Sequence, residues 1–240
     1  MGKSNVVLRL DKYLADLSVG TRTEVKQMIR KGRVMLNGKT ITVPETKVDS
    51  NQDKISVDGR ELSYVPLEYF MLNKPAGVVS ASSDKKQTTV VDLIDEAKRK
   101  DLFPVGRLDK DTEGLLIITN DGDLAHRLLS PKKHVDKVYF VRLLKPLRKE
   151  DEEAFAAGLK INEEFTALPA RLKSVSKREA YVTIREGKFH QIKRMFEAVE
   201  NEVVYLKRIS MGSLTLDETL SLGEYRELTK EEIEALRRQS

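Results

Sequence analysis

Four carboxylates crowd the two ends of one apolar run in this chain. Asp109, Asp111 and Glu113 precede Leu115-Leu116-Ile117-Ile118, and Asp121 follows it. The run is short and partly β-branched, with Gly114 in front and Thr119-Asn120-Asp121-Gly122 behind, a turn signal with a hairpin-type Asp-Gly. These features predict a strand covered on both faces. Carboxylates at its mouths could bind a cation, do acid–base work or attack an electrophile. An isolated acidic loop is more often plain solvated turn, so the weight falls on the cations that surround it. Lys74 sits in Asn73-Lys74-Pro75-Ala76-Gly77, a loop stiff at Pro75 and permissive at Gly77, suited to hold an ammonium near a phosphate or a carboxylate. Lys188, His190, Gln191, Lys193 and Arg194 follow Glu186-Gly187, read as a glycine turn running into a helix.

Several chemistries are excluded or disfavoured by residue type. The 240 residues contain no cysteine, which removes disulfides, thiolate metal sites and thiol nucleophiles and suits a reducing compartment. His126, His134 and His190 are scattered, so no metal is expected. The acidic loop lacks the calcium ligand ladder, and no phosphate-binding glycine motif supports a nucleotide cofactor. No nucleophile-elbow pattern occurs. No apolar run approaches a membrane span and no signal-type apolar segment opens the chain, so a cytoplasmic protein without a membrane partner is expected. Residues 1–6 match no pattern and are expected to be a frayed end or an expression remnant.

The net charge of +5 is unevenly placed. The first 62 residues hold 12 Lys and Arg against 8 Asp and Glu, leaving 31 against 30 in the rest. That is the footprint of a small nucleic-acid-binding module. Val7, Leu8, Leu10, Tyr13, Leu14 and Leu17 recur at helical spacing around Asp11-Lys12, and Ser18-Val19-Gly20 breaks the helix. Thr21 or Thr23 caps a second one, followed by short strands with a hairpin signal at Asn37-Gly38. Arg22, Lys26, Arg30 and Arg33 fall near one face of that second helix, with Lys31 beside them. Such a stripe suits a phosphate backbone, and on charge alone an ordinary solvated face fits equally well.

Residues 63–67 read as a linker. In the body, residues 69–72, 115–118, 137–143, 180–185, 203–206 and 212–216 read as strands, and residues 90–100, 125–129, 150–159 and 229 onward as helices. No regular alternation of strand and helix appears, so the fold class is α+β with a largely antiparallel sheet.

RLDKYLADLSVGTRTEVKQMIRKGRVMLNGK resembles the S4 RNA-binding domain. YFMLNKPAGVVSA, FPVGRLDKDTEGLLIITNDG, KVYFV and EGKFHQIKRMFEAVENEVVYLKRISMG together resemble the pseudouridine synthases, specifically the RsuA type that acts on small-subunit ribosomal RNA. The resemblance implies an S4-like domain over residues 1–62 and a catalytic domain over residues 63–240, the latter a mixed, mainly antiparallel sheet working without a cofactor. It implies isomerisation of a uridine to pseudouridine in 16S ribosomal RNA, with ribosomal RNA or an assembling small subunit as partner and a monomeric enzyme. By the same resemblance Asp109 is the nucleophile, Tyr139 stacks on the base and is a candidate for proton transfer, and Lys193 pairs with the catalytic carboxylate. Arg107 helps hold the flipped nucleotide and Leu206 lines the pocket, with Lys74, His190 and Gln191 as further substrate contacts. Lys12, Arg22, Lys26, Arg30, Lys31 and Arg33 form the RNA-binding set. Asp111 and Glu113 are expected to matter much less than Asp109. The alternatives are the same chemistry on a 23S site, a non-catalytic RNA-binding assembly factor, and a carboxylate hydrolase disfavoured by the basic first module.

Overall fold

The computed structural model describes residues 7–17, 19–62, 64–130, 133–163 and 165–239. The chain packs as two compact units, one made of the residues up to Glu68 together with Glu96–Leu102, the other of Tyr69–Asp95 with the residues from Phe103 onward. The readings of residues 1–6, Ser18 and Ser63 lie outside the described residues.

In the first unit, β1 (Val7–Arg9) leads directly into α1 (Leu10–Asp16). Thr21 opens α2 (Arg22–Arg30) with a reciprocal cap, its hydroxyl accepting from the Glu24 amide while its own amide donates to the Glu24 carboxylate at 2.7 Å. β2 (Val34–Leu36) and β3 (Lys39–Ile41) turn at Asn37-Gly38, both at positive φ as a type I′ turn requires. β4 (Lys47–Asp49) pairs with β1, while β5 (Ile55–Val57) and β6 (Arg60–Leu62) complete the sheet of β2 and β3. Leu10, Leu14, Val25, Ile29, Val34 and Ile55 are fully buried between the helices and this sheet. The supposed linker is partly packed: Tyr64 stacks on Tyr13 with ring centroids 4.8 Å apart.

The second unit is organised on β9 (Glu113–Thr119), whose residues 115–118 are fully buried as the apolar run predicts. Its sheet runs in the order β11 (Arg171–Ser176), β12 (Glu179–Ile184), β10 (Lys137–Leu143), β13 (Val203–Met211), β9, β7 (Tyr69–Lys74) and β15 (Tyr225–Glu227). β8 (Phe103–Pro104) pairs with β9, and β14 (Leu214–Thr215) with β13. All of these pairings are antiparallel except that of β13 with β9, so the sheet is mixed and mainly antiparallel. Helices α3 (Gly122–Leu129) and α6 (Lys230–Gln239) share a core with β7 and β9, and α4 (Lys149–Ala157) and α5 (Gln191–Ala198) meet through Phe155 and Phe196 at 4.8 Å.

Two expectations are corrected. Asp121-Gly122 is not a hairpin turn: the Asp121 carboxylate accepts from the Leu124 amide at 3.0 Å and so caps α3. Residues 90–100 form turns and bends rather than a helix. Val90 and Ile94 are buried as their spacing suggests, but the amides of Lys98 and Arg99 donate to the Glu68 carboxylate, which takes them from any helical ladder. Arg99 itself is buried in the first unit, bonded to Asp101 and lying over the Tyr64 ring at 5.2 Å. No described helix is long and apolar enough to cross a membrane.

Candidate active site

Residues 105–112 join β8 to β9, and the loop is held from several sides. The Thr112 amide donates to the Asp109 carbonyl at 3.1 Å, closing a turn. Ser80 Oγ donates to the Leu108 carbonyl at 2.8 Å and accepts from the Leu108 amide at 3.1 Å. The Gly77 amide donates to the Lys110 carbonyl at 2.8 Å. Lys74, fully buried at the end of β7, donates to the carbonyls of Pro75 (2.9 Å), Lys110 (3.3 Å) and Thr112 (2.9 Å). Its role is therefore corrected: the ammonium is spent on the backbone under the acidic loop and is not presented to a substrate. Burial pushes its pKa down to about 8, against the pull of Asp111, Glu113 and Asp109.

The clamped turn sets Asp109 into the wall of a small open pocket of about 60 Å³. Arg107, Tyr139, His190, Gln191 and Leu206 share its wall. Tyr139 comes from β10 and Leu206 from β13, adjacent strands on which Val141 faces Leu206 and Tyr139 faces Arg208, with a bulge between Val138 and Tyr139. Tyr139 and Leu206 are buried. Arg107 is exposed and makes no ion pair among the described residues. Two further wall residues, Ile184 and Thr112, were not singled out by the sequence; Ile184 carries no signal beyond its strand, whereas Thr112 lies inside the acidic motif.

α5 delivers the cation. Lys193 Nζ lies 3.3 Å from Asp109 Oδ2, and 2.7 and 2.9 Å from the two Asp111 oxygens. Burial alone would lower the Lys193 pKa, but its bonds to Asp111 and the charge of Asp109 more than reverse this, so it stands above the ordinary lysine value. The Asp111 carboxyl is held below its usual range by the Lys193 bond. His190 Nε2 is 3.7 Å from Asp109 Oδ1. Gln191 is buried: its amide nitrogen donates to Glu186 at 2.7 Å and its oxygen accepts from the Lys188 amide at 2.9 Å, so it fixes the loop that carries His190.

In the first unit, Arg22, Lys26 and Arg30 repeat every four residues along α2. Asp58 pairs with Arg33, Asp16 with Lys12 at 2.7 Å, and Asp11 approaches Lys26 at 3.9 Å. Arg22, Arg30 and Lys31 are exposed and make no ion pair among the described residues, which leaves three cations uncompensated on this face.

A carboxylate beside an ammonium, walled by a tyrosine and a leucine, with a basic RNA-module signature earlier in the chain, fits the RNA-modifying class that the sequence resembles. The chain belongs to the RNA pseudouridylate synthase family: the family model matches residues 68–198, and the S4 domain matches residues 8–60. It is accordingly an isomerase. The chain is 48% identical to the uncharacterized RNA pseudouridine synthase YtzG of Bacillus subtilis (strain 168), over 95% of this chain and 98% of that protein. It is 41% identical to ribosomal small subunit pseudouridine synthase A of Escherichia coli (strain K12), over 94% and 98%. A pseudouridylate synthase crystal structure superimposes with a TM-score of 0.68 at 38% identity, covering 95% of this chain and 99% of that one.

Proposed function

We propose that this enzyme converts one uridine of small-subunit ribosomal RNA to pseudouridine, acting as a cytoplasmic monomer on that RNA or on the assembling subunit. The first 62 residues anchor the RNA through Arg22, Arg30 and Lys31, supported by Lys12, Lys26 and Arg33, and the rest of the chain does the chemistry. The N1–C1′ bond of the target breaks, the base turns over and C5 bonds to C1′; C5 loses its proton and N1 gains one. Asp109 is the nucleophile that holds the cleaved fragment covalently, a role needed whether the attack is on sugar or base. Lys193 supplies the cation beside it, Tyr139 the aromatic face for the loose uracil, and Leu206 an apolar wall that excludes water. Arg107 helps hold the flipped nucleotide. Taking that base from its stack costs roughly a few kcal/mol, which remote contacts offset.

The observation that carries this reading is the Asp109 carboxylate, 24% exposed, turned into a pocket beside Tyr139 with Lys193 at 3.3 Å. Tritium release from small-subunit ribosomal RNA labelled at uridine C5 tests it. Asp109→Asn is expected to abolish release while leaving RNA affinity nearly intact. Appreciable turnover by that variant sinks the assignment, and mapping pseudouridine in ribosomal RNA from cells with and without the gene identifies the position.

A further inference from the structure

The most exposed large apolar side chain among the described residues is Phe189, at 69%. It stands in the wider cleft that opens from the Asp109 pocket, with Arg107, Lys110 and Lys188 around it. An exposed phenyl ring has no reason to be held there for packing, yet the turn that carries it is firmly anchored. Glu186 accepts from the Leu168 amide at 2.8 Å and from Gln191 at 2.7 Å, and Gln191 in turn accepts from the Lys188 amide. The next residue, His190, adopts the left-handed region (φ +50°), uncommon for residues other than glycine, although histidine enters it more readily than most. That conformation lays the imidazole against one face of the phenyl ring, with centroids 3.8 Å apart and planes 17° from parallel. His190 also turns Nε2 toward Asp109. A short ladder thus runs outward from Asp109 through His190 to Phe189.

We infer that Phe189 is a stacking platform for an unpaired base next to the target uridine. The inference rests on the RNA-isomerase reading above and adds a second base-recognition position to it. A phenyl ring backed by an imidazole, in a cleft whose wall also carries Arg107, Lys110 and Lys188, has the two parts of a single-strand nucleotide site, a π face for the base and cations for the neighbouring phosphates. The same cations disfavour an apolar protein surface as occupant. Because every base has a π face, Phe189 holds the strand in place without fixing the sequence there, and it keeps the flanking base from following the target or re-stacking over the vacated position.

The test uses the full chain and in vitro transcribed small-subunit ribosomal RNA, with F189A, F189L and F189Y. The side chain's exposure makes these substitutions neutral for folding. F189A and F189L are expected to weaken RNA binding and raise KM about 5- to 100-fold, the range of one base–aromatic stack, with saturating single-turnover rates within about twofold of wild type. F189Y keeps wild-type affinity. The slope of log affinity against log salt is unchanged, since the same phosphates stay neutralised. Once the modified position is mapped, an abasic nucleotide on one flank should cost wild type the same factor and F189A nothing further. Wild-type affinity in F189L or F189A, or an abasic penalty identical in wild type and F189A at both flanks, overturns the inference. So does a defect seen only with ribosomal proteins present, which would make Phe189 a protein contact. Absence of tritium release by wild type from both the free RNA and the assembling subunit would instead defeat the functional reading, and the binding measurements on the three variants would still decide the role of Phe189.

Discussion

Lys193 touches two carboxylates, and their surroundings decide which one matters. The shorter contact is to Asp111, at 2.7 Å, but that side chain is 72% exposed, where ion pairs are screened and typically contribute about 0–1 kcal/mol. Asp109 lies farther away, at 3.3 Å, but is 24% exposed and turned into the pocket. The same ammonium therefore acts more strongly on Asp109 than the distances alone suggest. Lys193→Ala is expected to lower the single-turnover rate by at least about tenfold with KM nearly unchanged, because under the proposed function its partner Asp109 is the reacting group. Asp111→Asn should stay within about fivefold of wild type. A pure KM effect in Lys193→Ala would move that lysine to the RNA-binding surface. The sequence offered no sign that Asp111 touches Lys193 at all.

At the scale of elements, the approach of β13 to β9 is the tightest junction behind the site. Gly114 pairs with Arg208 across the parallel seam at φ +99°, and a Cβ there would fall on the Arg208 backbone oxygen with the Arg208 nitrogen at 2.8 Å. Gly114→Ala is expected to destabilise the fold by about 2–4 kcal/mol, since both the dihedral and the space forbid a side chain. It should also shift β13 and Leu206 relative to the Asp109 loop. Urea titration together with tritium release checks both parts; wild-type stability in the variant would mean the strands separate easily.

Across the whole molecule, two buried lysines set a pH dependence. Burial pushes Lys74 and Lys137 down to about 8, and the nearby Arg208 charge adds to the effect on Lys137. Both lysines keep the ordinary value near 10.5 when unfolded, so between about pH 8 and 10 the unfolded chain binds more protons than the folded one. Stability therefore rises across that window, by at most about 3 kcal/mol for each lysine. Above pH 10 it turns over, because burial raises Tyr13 and Tyr205 to about 12 and the unfolded chain alone then gains from their ionisation. Unfolding free energies at pH 7.5 to 10.5 should trace this rise and fall, and a flat profile up to pH 10 would show that these ammonium groups are solvated. The uneven net charge gives a further expectation. Changing Arg22, Arg30 and Lys31 to Gln should lower the log–log salt slope of RNA binding by about 0.7–0.9 for each phosphate left without its cation. Substitution is preferable to deleting residues 1–62, because Glu96–Leu102 packs in the first unit and the deletion would remove Asp16, which pairs with the buried Arg99 at 3.4 Å.

Local chemistry is what a sequence carries on its face. The caps at Thr21 and Thr229, the Asn37-Gly38 turn, the buried run ahead of Asp121 and the helix after His190 all depend on residues within a few positions of one another, and all are legible in the chain alone. Asp109 and Lys193 are 84 positions apart, and that they meet was implied only by resemblance to a family. Tertiary contacts decided that Lys74 is spent on carbonyls, because two oxygens of the acidic loop join that of the adjacent Pro75 around it. They decided equally that residues 90–100 do not coil, because Glu68 claims two of the amides a helix would need. Spacing records which residues are apolar or charged, but the partner of a buried polar group is chosen by whichever segment the fold brings within hydrogen-bonding distance.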